Sequence, residues 1–310
     1  MHLDYAQLIT EGVNPLTTNI DLCETEEILR MIHQEDTKVA PAVAQVLPEI
    51  ARAVDAIVDG MRKGGRLIYV GAGTSGRLGV LDASECPPTF GTEPDRVVGV
   101  IAGGDTALRH AIEGAEDNYE MGVAAMDELQ IDHKDTVVGI TASGNAAYVL
   151  GAIERAAQLQ AATVALCNTY PGRVIDAADI AIVPVVGPEV IMGSTRMKAG
   201  TAEKMVLNML STASMIKLGK VYQNLMVDIA ATNRKLQDRT VRIIMEATGV
   251  SREEAEEALC KSGGQLKPAL VLLFCDCDVE TAAQLLSREP NIRKTVRAYF
   301  QENGESENSN

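Results

Sequence analysis

The sequence predicts an α/β protein, in which a doubly wound parallel sheet of five strands is flanked by helices, with a helical segment before it and a small helical module after it. Three observations predict this class. Short runs rich in Val and Ile alternate along the chain with apolar patterns of helical period. Glycine-rich turns directly follow two of these runs. Aromatic residues make up only 3% of the chain and Trp is absent, so the core is aliphatic, as in strands that helices cover on both faces.

The first part of the chain is predicted to be helical, and we place this segment at residues 1–56. From Glu24 to Asp59 the apolar residues recur at the three-and-four spacing of one buried helix face. Gly64-Gly65 ends the pattern, and residues 66–70 follow as the first buried strand. A glycine-rich turn comes directly after that strand.

Four further apolar runs complete the predicted sheet. They are residues 97–101, 136–140, 163–166 and 180–184. We predict a helix that begins near Asp105 after the second strand, and a helix that extends to about Gln158 after the third. After Glu203 a long helix rich in Met has a broad apolar face, which suits burial against the sheet or against a partner subunit. Ligands of such sheets bind beyond the carboxyl ends of the strands.

The main domain is therefore predicted at residues 57–220, and a small helical module at residues 240–300. Ser251-Arg252-Glu253-Glu254 is a capping box at the start of one of its helices. The stretch from Thr248 to Leu273 is similar to a ubiquitin-associated three-helix module, which either packs against the main domain or binds a partner. The polar tail at residues 301–310 is predicted to be disordered.

The charge of the chain excludes some classes of partner. A net charge of −15 argues against nucleic acid, because phosphate backbones require clustered Lys and Arg. No run approaches ~18 uninterrupted apolar residues, so we expect no membrane span. An anionic substrate would therefore need a local site that is built from backbone N–H groups.

The six cysteines are scattered, and none forms a CxxC pair. With only four histidines and no cluster at ligand spacing, we expect no metal site. Scattered cysteines are typical of a reducing compartment, and the start Met1-His2-Leu3 has no features of a signal peptide. We therefore predict a cytoplasmic protein.

The turn after the first strand, Gly71 to Arg77, fits the dinucleotide pattern GxGxxG. That pattern requires a carboxylate at the end of the next strand, where this chain has Ala102-Gly103-Gly104 instead. Backbone N–H groups at a helix start bind phosphate, and the hydroxyls of Thr74 and Ser75 add donors without charge. The sequence favours a phosphate site at Gly73-Thr74-Ser75-Gly76, with a nucleotide site and a purely structural glycine turn as alternatives.

A second turn of this kind, Thr141-Ala142-Ser143-Gly144, follows the third strand. The carboxyl ends of parallel strands meet at one edge of the sheet, so the two turns can converge on one small phosphate. Either turn alone is weak evidence, but together they indicate a phosphosugar.

The two turns resemble those of the sugar isomerase (SIS) phosphosugar-binding fold. The segment from Gly187 to Ala202, with Gly193-Ser194-Thr195-Arg196-Met197-Lys198 at its centre, resembles a signature shared by N-acetylmuramic acid 6-phosphate etherases and glucokinase regulatory proteins. The first turn and the segment Leu81-Asp82-Ala83-Ser84-Glu85-Cys86-Pro87-Pro88-Thr89 bring the chain closest to the etherases, over roughly residues 7 to 300. Asn145-Ala146-Ala147 departs from the family pattern, which weakens any phosphate contact from positions 145 and 146.

The resemblance implies a SIS-type sheet, a homodimer and no cofactor. It also implies cleavage of a D-lactyl ether by elimination and addition of water, which gives N-acetylglucosamine 6-phosphate and D-lactate. This chemistry removes a proton from C2 of the open-chain sugar and gives a proton to the lactate oxygen that leaves C3. A positioned acid contributes about 10²–10⁴ in rate to such a step, and the two groups need different protonation states.

The family's two catalytic glutamates match Glu85 and Glu116 by motif. We predict that Glu85 is the acid, because Cys86-Pro87-Pro88 should end its helix and remove water from its carboxyl group. Glu116 is the predicted base. The alternative for each is an ordinary solvated or capping glutamate. On the predicted helix of Glu116, Glu113 and Asp117 compete for its role, and His110 would pack or orient.

The signature implies further substrate contacts. Arg196 and Lys198 either bind the lactate carboxylate or form salt bridges between subunits. Glu189 either accepts a bond from a sugar hydroxyl or fixes the turn after Pro188. Ser194 is a candidate substrate contact within the same segment.

Two other functions compete with the etherase. A regulatory protein that senses a phosphosugar shares the signature, but it has two phosphosugar domains, whereas this chain has room for one. An aldose–ketose isomerase shares the fold. Release of D-lactate distinguishes all three.

Overall fold

The computed structural model describes residues 8–229 and 234–303. The chain divides into two compact units. Among the described residues, the first consists of residues 8–84 and 94–212, and the second of residues 85–93, 213–229 and 234–303.

The first unit contains the predicted parallel sheet. Its strands, in chain order, are β1 (Leu67–Gly71), β2 (Val97–Ile101), β3 (Thr136–Ile140), β4 (Ala162–Leu166) and β5 (Ile180–Ile182). They lie in the order β2-β1-β3-β4-β5 and all pair in parallel. The order changes direction between β1 and β3, and this switch point is where ligands of such sheets bind.

The sheet core is aliphatic, as predicted. Every residue of β1 and β3 is buried, because helices cover both faces of these central strands. The side chains of Ile68, Val137 and Ile153 are fully buried in the same apolar cluster. This core fixes the two central strands, and therefore the turns that follow them.

Nine helices surround the sheet or lead into it among the residues described up to 217. They are α1 (Thr25–Asp36), α2 (Val39–Ala44), α3 (Leu47–Arg62), α4 (Gly73–Phe90), α5 (Thr106–Arg109), α6 (Tyr119–Glu128), α7 (Ala147–Gln158), α8 (Arg173–Ala177) and α9 (Lys198–Lys217). The predicted end of α7 at Gln158 is confirmed. Helix α9 begins at Lys198, six positions before the predicted start after Glu203.

The prediction of one helix that carries both His110 and Glu116 is wrong. Helix α5 ends at Arg109, and His110 has extended backbone. Glu116 lies instead in a short 3₁₀ helix, Ala115–Asp117. Gly114 just before it has a φ of 70°, a left-handed conformation that interrupts a helix and that glycine adopts without strain.

The predicted helix end at Cys86-Pro87-Pro88 is also wrong, because α4 continues to Phe90. Proline cannot donate to the carbonyl four residues earlier, so the last turn of α4 lacks two backbone bonds. The N–H of Gly91 donates to the Pro87 carbonyl at 2.9 Å and closes that turn. The two prolines therefore lie within the helix end instead of stopping it.

The second unit has a core of its own. It contains the antiparallel pair β6 (Val221–Tyr222) and β7 (Leu225–Met226), followed by α10 (Arg234–Thr248), α11 (Arg252–Lys261), α12 (Leu266–Cys275), α13 (Val279–Arg288) and α14 (Ile292–Glu302). Ile244, Leu270 and Ala282 are fully buried at its centre. The capping box is confirmed, since Ser251 and Glu254 each accept the other's backbone N–H.

The polar tail predicted at residues 301–310 begins within α14, which extends to Glu302. From residue 304 onward it lies outside the described residues. No helix in the described part of the chain is long and apolar enough to cross a membrane.

Candidate active site

The turn after β1 forms the start of α4. Helix α4 begins at Gly73, whose φ of 52° turns the chain out of the strand. A Cβ atom at Gly76 would lie 2.7 Å from the Gly71 carbonyl oxygen, so only glycine allows this close approach. The first N–H groups of a helix have no partner inside it, and together with the helix dipole they favour an anion here.

The two hydroxyls of this turn face different surroundings. Gly73 is exposed and Thr74 is half-buried, so both are accessible at the helix start. Ser75 is buried and its Oγ donates to Oε1 of Glu203 at 2.9 Å. The sequence predicted Ser75 as a direct phosphate donor but gave no sign of this second partner.

A cavity of about 360 Å³ opens beside this turn. Gly73 and Arg77 of α4 line one side, and Glu113 and Glu116 line the other. Arg77 donates to the carbonyls of Ala107 and Leu108 and so joins α4 to α5. The structure therefore places Glu116 on the same cavity as the predicted phosphate turn, and it places Glu113 there too.

The second predicted turn follows β3, the neighbour of β1 in the sheet. Gly71 at the end of β1 pairs with Ile140 at the end of β3, so the two turns leave the sheet side by side. The hydroxyl oxygens of Thr141 and Ser143 are 3.4 Å apart. Gly144 has a φ of 71°. This arrangement agrees with the predicted convergence of the turns at the sheet edge.

Asn145, where the chain departs from the family pattern, stabilises this second turn. Its amide donates to the Ser143 carbonyl at 2.7 Å, and its Oδ1 accepts the N–H of Arg173 at 3.1 Å. Asn145 thus joins the turn to the start of α8, and its side chain is 8% exposed.

Glu85 lies on α4 in the second unit, and its side chain is exposed. The predicted loss of water around its carboxyl group is not found, because α4 continues through the prolines and carries Glu85 on its outer face. The next residue, Cys86, is buried. The helix thus presents the carboxyl group to solvent and packs the thiol inward.

Within the signature segment, Glu189 caps α9. It is 1% exposed, and its two carboxylate oxygens accept the N–H groups of Lys198 at 3.1 Å and Ala199 at 2.9 Å. Burial raises the pKa of Glu189, and the two N–H donors partly offset this effect. Of the two predicted roles, a sugar contact finds no support here, and the observed role is structural.

Lys198 forms a buried ion pair within the chain. Its Nζ is 2.6 Å from Oε2 of Glu35 and donates to the Pro188 carbonyl at 2.7 Å. Burial alone would raise the pKa of Glu35, but hydrogen bonds from Lys198 and Lys38 hold that pKa below its usual range. The predicted roles as a lactate ligand or an intersubunit bridge do not fit, because the ammonium group is 1% exposed and already paired.

Arg196 and Ser194 have the accessibility that a ligand contact needs. Arg196 is exposed and Ser194 is half-buried, in the loop just before α9. The N–H of Ser194 donates to the Ile191 carbonyl at 3.0 Å and shapes this loop. Arg196 is thus the accessible cation of the predicted pair.

Glu203 is the site residue that the sequence analysis missed. It is 1% exposed, and burial raises its pKa to about 8, although the hydrogen bond from Ser75 acts in the opposite direction. Its neighbours Thr201 and Lys204 in the sequence are exposed, whereas Glu203 faces inward. The helical spacing of Ala199, Glu203 and Val206 places all three on one apolar face of α9, and this spacing is the signal that predicts the burial of Glu203.

No group of three or more His, Cys, Asp or Glu residues that could hold a metal occurs within residues 8–229 and 234–303.

Comparison with protein families gives three matches. The N-terminal SIS domain of glucokinase regulatory protein matches residues 49–157, and the SIS domain matches residues 115–213. The C-terminal lid domain of glucokinase regulatory protein matches residues 223–268.

Comparison with individual proteins gives relatives over nearly the whole chain. An N-acetylmuramic acid 6-phosphate etherase from Photorhabdus laumondii is 51% identical over 96% of this chain and 99% of that protein. One from Photobacterium profundum is 53% identical over the same shares of both chains. Among solved structures, a phosphoheptose isomerase from Francisella tularensis is 21% identical and covers 64% of this chain and 99% of that chain, with a TM-score of 0.44.

Proposed function

Since the chain belongs to the N-acetylmuramic acid 6-phosphate etherase family, we propose that it performs the family's reaction with Glu116 as base and Glu85 as acid. The enzyme cleaves the D-lactyl ether of N-acetylmuramic acid 6-phosphate to N-acetylglucosamine 6-phosphate and D-lactate. The reaction is an elimination followed by addition of water, and it serves the catabolism of cell-wall amino sugars.

One observation carries the assignment of the site. The start of α4 at Gly73 and the carboxyl group of Glu116 line the same cavity of about 360 Å³, next to the switch point of the sheet. The N–H groups at the start of the helix and the hydroxyls of Thr74 and Ser75 bind the phosphate, with Thr141, Ser143 and Gly144 of the second turn at the same edge. Gly76 shapes the turn, since its own N–H donates to the Ala72 carbonyl at 3.2 Å. A sugar anchored in this way extends toward Glu116.

The first step is the elimination. Glu116 removes the proton from C2 of the open-chain sugar, and the electron pair forms the C2–C3 double bond. The C3–O bond breaks, and Glu85 gives its proton to the oxygen that leaves with lactate. Arg196, the exposed cation before α9, pairs with the lactate carboxylate.

The second step restores both groups. Water adds its oxygen to C3, Glu85 takes the proton of that water, and Glu116 returns a proton to C2. Each glutamate ends in its starting protonation state, and the overall change is the addition of one water. All steps move protons, so the reaction as written requires no cofactor.

The length of α4 supports a homodimer. Gly73 and Glu85 are twelve residues apart on this helix, and at about 1.5 Å per residue they are separated by about 18 Å along it. One phosphorylated hexose does not reach that far. We therefore propose that Glu85 acts at the phosphate turn of the partner subunit.

The surface of the first unit provides apolar area for such a dimer. Its N-terminal part exposes Val13, Leu16, Leu22 and Leu29, with Leu22 82% exposed. Exposed apolar groups of this size, when contiguous, are typical of protein interfaces. A cytoplasmic location agrees with the chain's six scattered cysteines, all of which are thiols outside any disulfide.

Release of D-lactate from N-acetylmuramic acid 6-phosphate in H₂¹⁸O tests the function. We expect one lactate per sugar consumed and one ¹⁸O atom at C3 of the product, because the bond that breaks is on the sugar side. Binding without lactate release would favour a regulatory protein, and aldose–ketose conversion without lactate would favour an isomerase.

Mixing two inactive variants tests the shared site. If Glu85 and Glu116 of one site come from different subunits, a heterodimer of Glu85→Gln and Glu116→Gln contains one intact site. Random exchange of subunits at equal amounts should then restore about a quarter of the wild-type activity. No recovery, with subunit exchange shown by mass spectrometry, would place both glutamates in one subunit.

A further inference from the structure

The phosphate turn contains a buried carboxyl group that the reaction above does not use. Ser75 Oγ lies 2.9 Å from Oε1 of Glu203, and these two residues are 7% and 1% exposed. The first turns of α4 and α9 pack closely here, since a Cβ atom at Gly200 would lie 3.4 Å from Cγ2 of Thr74. Glu203 therefore lies against the Ser75 hydroxyl of the proposed phosphate turn.

The protonation state of Glu203 determines what Ser75 can donate. A hydroxyl group has one proton to donate and two lone pairs that accept. Beside a carboxylate, Ser75 must give that proton to Glu203, and its lone pairs are left facing the anion. Beside a neutral carboxyl group, Ser75 Oγ can accept from Glu203 and donate its own proton to a phosphate oxygen.

We propose that Glu203 is a positioning residue which, in its neutral form, donates to Ser75 Oγ and so leaves the Ser75 hydroxyl free to donate to the sugar phosphate. This inference rests on the phosphate site of the proposed function. The neutral form of Glu203 also has an electrostatic effect, because an uncharged group behind the turn does not repel a phosphate dianion.

The surroundings of Glu203 keep it neutral at pH 7. Burial raises its pKa to about 8, and its hydrogen-bond partner Ser75 carries no charge. The titratable neighbour at the end of β4 is Cys167, a buried thiol whose pKa is raised by burial and by Glu203. It is therefore neutral too.

The other ionisable groups of α4 and α9 that are closest in sequence to Ser75 and Glu203 are engaged elsewhere or exposed. Arg77 donates to backbone carbonyls of α5, and Asp82 accepts from Tyr69 and Asn208. Lys198 is paired with Glu35, and Lys204 is exposed. The second turn presents the uncharged hydroxyls of Thr141 and Ser143.

The experiment measures binding of N-acetylglucosamine 6-phosphate by calorimetry between pH 6.5 and 9.5. Above pH 7.5 the ligand is a dianion throughout, because the second pKa of a phosphate monoester is about 6. We expect wild-type affinity to be constant near pH 7 and to fall above pH 8 by up to about tenfold per pH unit. Each binding event at pH 9 should also take up close to one proton, measured in two buffers of different ionisation enthalpy.

The variant Glu203→Gln should remove this pH dependence. Its amide group donates to Ser75 at every pH, so affinity at pH 7 should stay within about threefold of wild type and show no alkaline fall. Proton uptake at pH 9 should vanish. Glu128→Gln, at an exposed position of α6, is the matched control and should behave as wild type.

Two results would overturn the proposal. In the first, the affinity of Glu203→Gln for the ligand falls above pH 8 as steeply as that of the wild type. In the second, the wild type takes up no proton on binding at pH 9, and this measurement does not depend on the folding of any variant. A failure of the phosphate site itself looks different, because binding would then be insensitive to Ser75→Ala and Thr74→Ala at pH 7. Weaker binding in Ser75→Ala without proton uptake in the wild type would leave the phosphate site intact and exclude the role of Glu203.

Discussion

Replacing Lys198 with Met separates a structural role from a ligand role at a signature position. The Lys198 and Glu35 side chains are 1% and 3% exposed, and their charged atoms are 2.6 Å apart. Removing one member of a buried pair leaves an uncompensated charge, which costs about 3–5 kcal/mol. Glu35 keeps Lys38 as a partner at 2.6 Å, so we expect about 3 kcal/mol, the lower end of that range.

Urea unfolding measures this loss, with the midpoint followed by circular dichroism. Lys38→Met is the matched control, because Lys38 contacts the same carboxylate from a half-exposed position and should cost at most about 1 kcal/mol. A double variant, Lys198→Met with Glu35→Gln, should recover part of the stability, because no unpaired charge is then buried.

The ligand role makes the opposite prediction. If Lys198 bound the lactate carboxylate, Lys198→Met would leave the urea midpoint close to that of Lys38→Met and would raise KM for the substrate. A stable variant with a KM raised about tenfold, equivalent to 1.4 kcal/mol of binding, would refute the structural reasoning.

The remaining predictions concern the chemistry. Glu85→Gln should fold and bind the product but lose about 10²–10⁴ of lactate release, because Gln keeps the shape and has no proton to transfer; near-normal turnover would exclude Glu85 as the acid. Glu116→Gln should lose both lactate release and exchange of the C2 proton of N-acetylglucosamine 6-phosphate in D₂O, followed by NMR, whereas Glu113→Gln on the same cavity should keep both. Exchange retained in Glu116→Gln but lost in Glu85→Gln would reverse the two roles. Activity should persist in EDTA, and a loss that a divalent ion restored would contradict this.

The sheet could be predicted from the sequence because each strand is marked by residues that are adjacent in the chain. Each strand is a short apolar run, and the glycines at 71, 73 and 76 mark the turn that follows the first of them. The segment around Glu116 could not be predicted, because the left-handed Gly114 divides what its composition suggested was one helix. The predicted end of α4 was wrong for a related reason. Two prolines within the last turn of a helix remove only two backbone hydrogen bonds, so the helix can continue through them.

The roles of the signature residues depended on partners that are distant in the sequence. Lys198 finds Glu35 163 residues away, and Ser75 finds Glu203 128 residues away. A pattern within a few residues of Lys198 shows only a cation near a glycine-rich loop, which fits a ligand as well as a buried pair. The motif indicates a region of the chain, whereas the role of each side chain depends on the partner that the fold brings to it.

Two buried glutamates show how the partner that the fold supplies determines the charge of a carboxyl group. Lys198 and Lys38 hold the pKa of Glu35 below its usual range, whereas burial raises the pKa of Glu203 to about 8 and its hydrogen-bond partner Ser75 carries no charge. If the cation were beside Glu203 instead, that carboxyl group would ionise and would take the Ser75 proton. On the proposed role of Glu203, keeping Lys198 at the Glu35 pair leaves the carboxyl group beside Ser75 neutral, so that the Ser75 hydroxyl can donate to a bound phosphate.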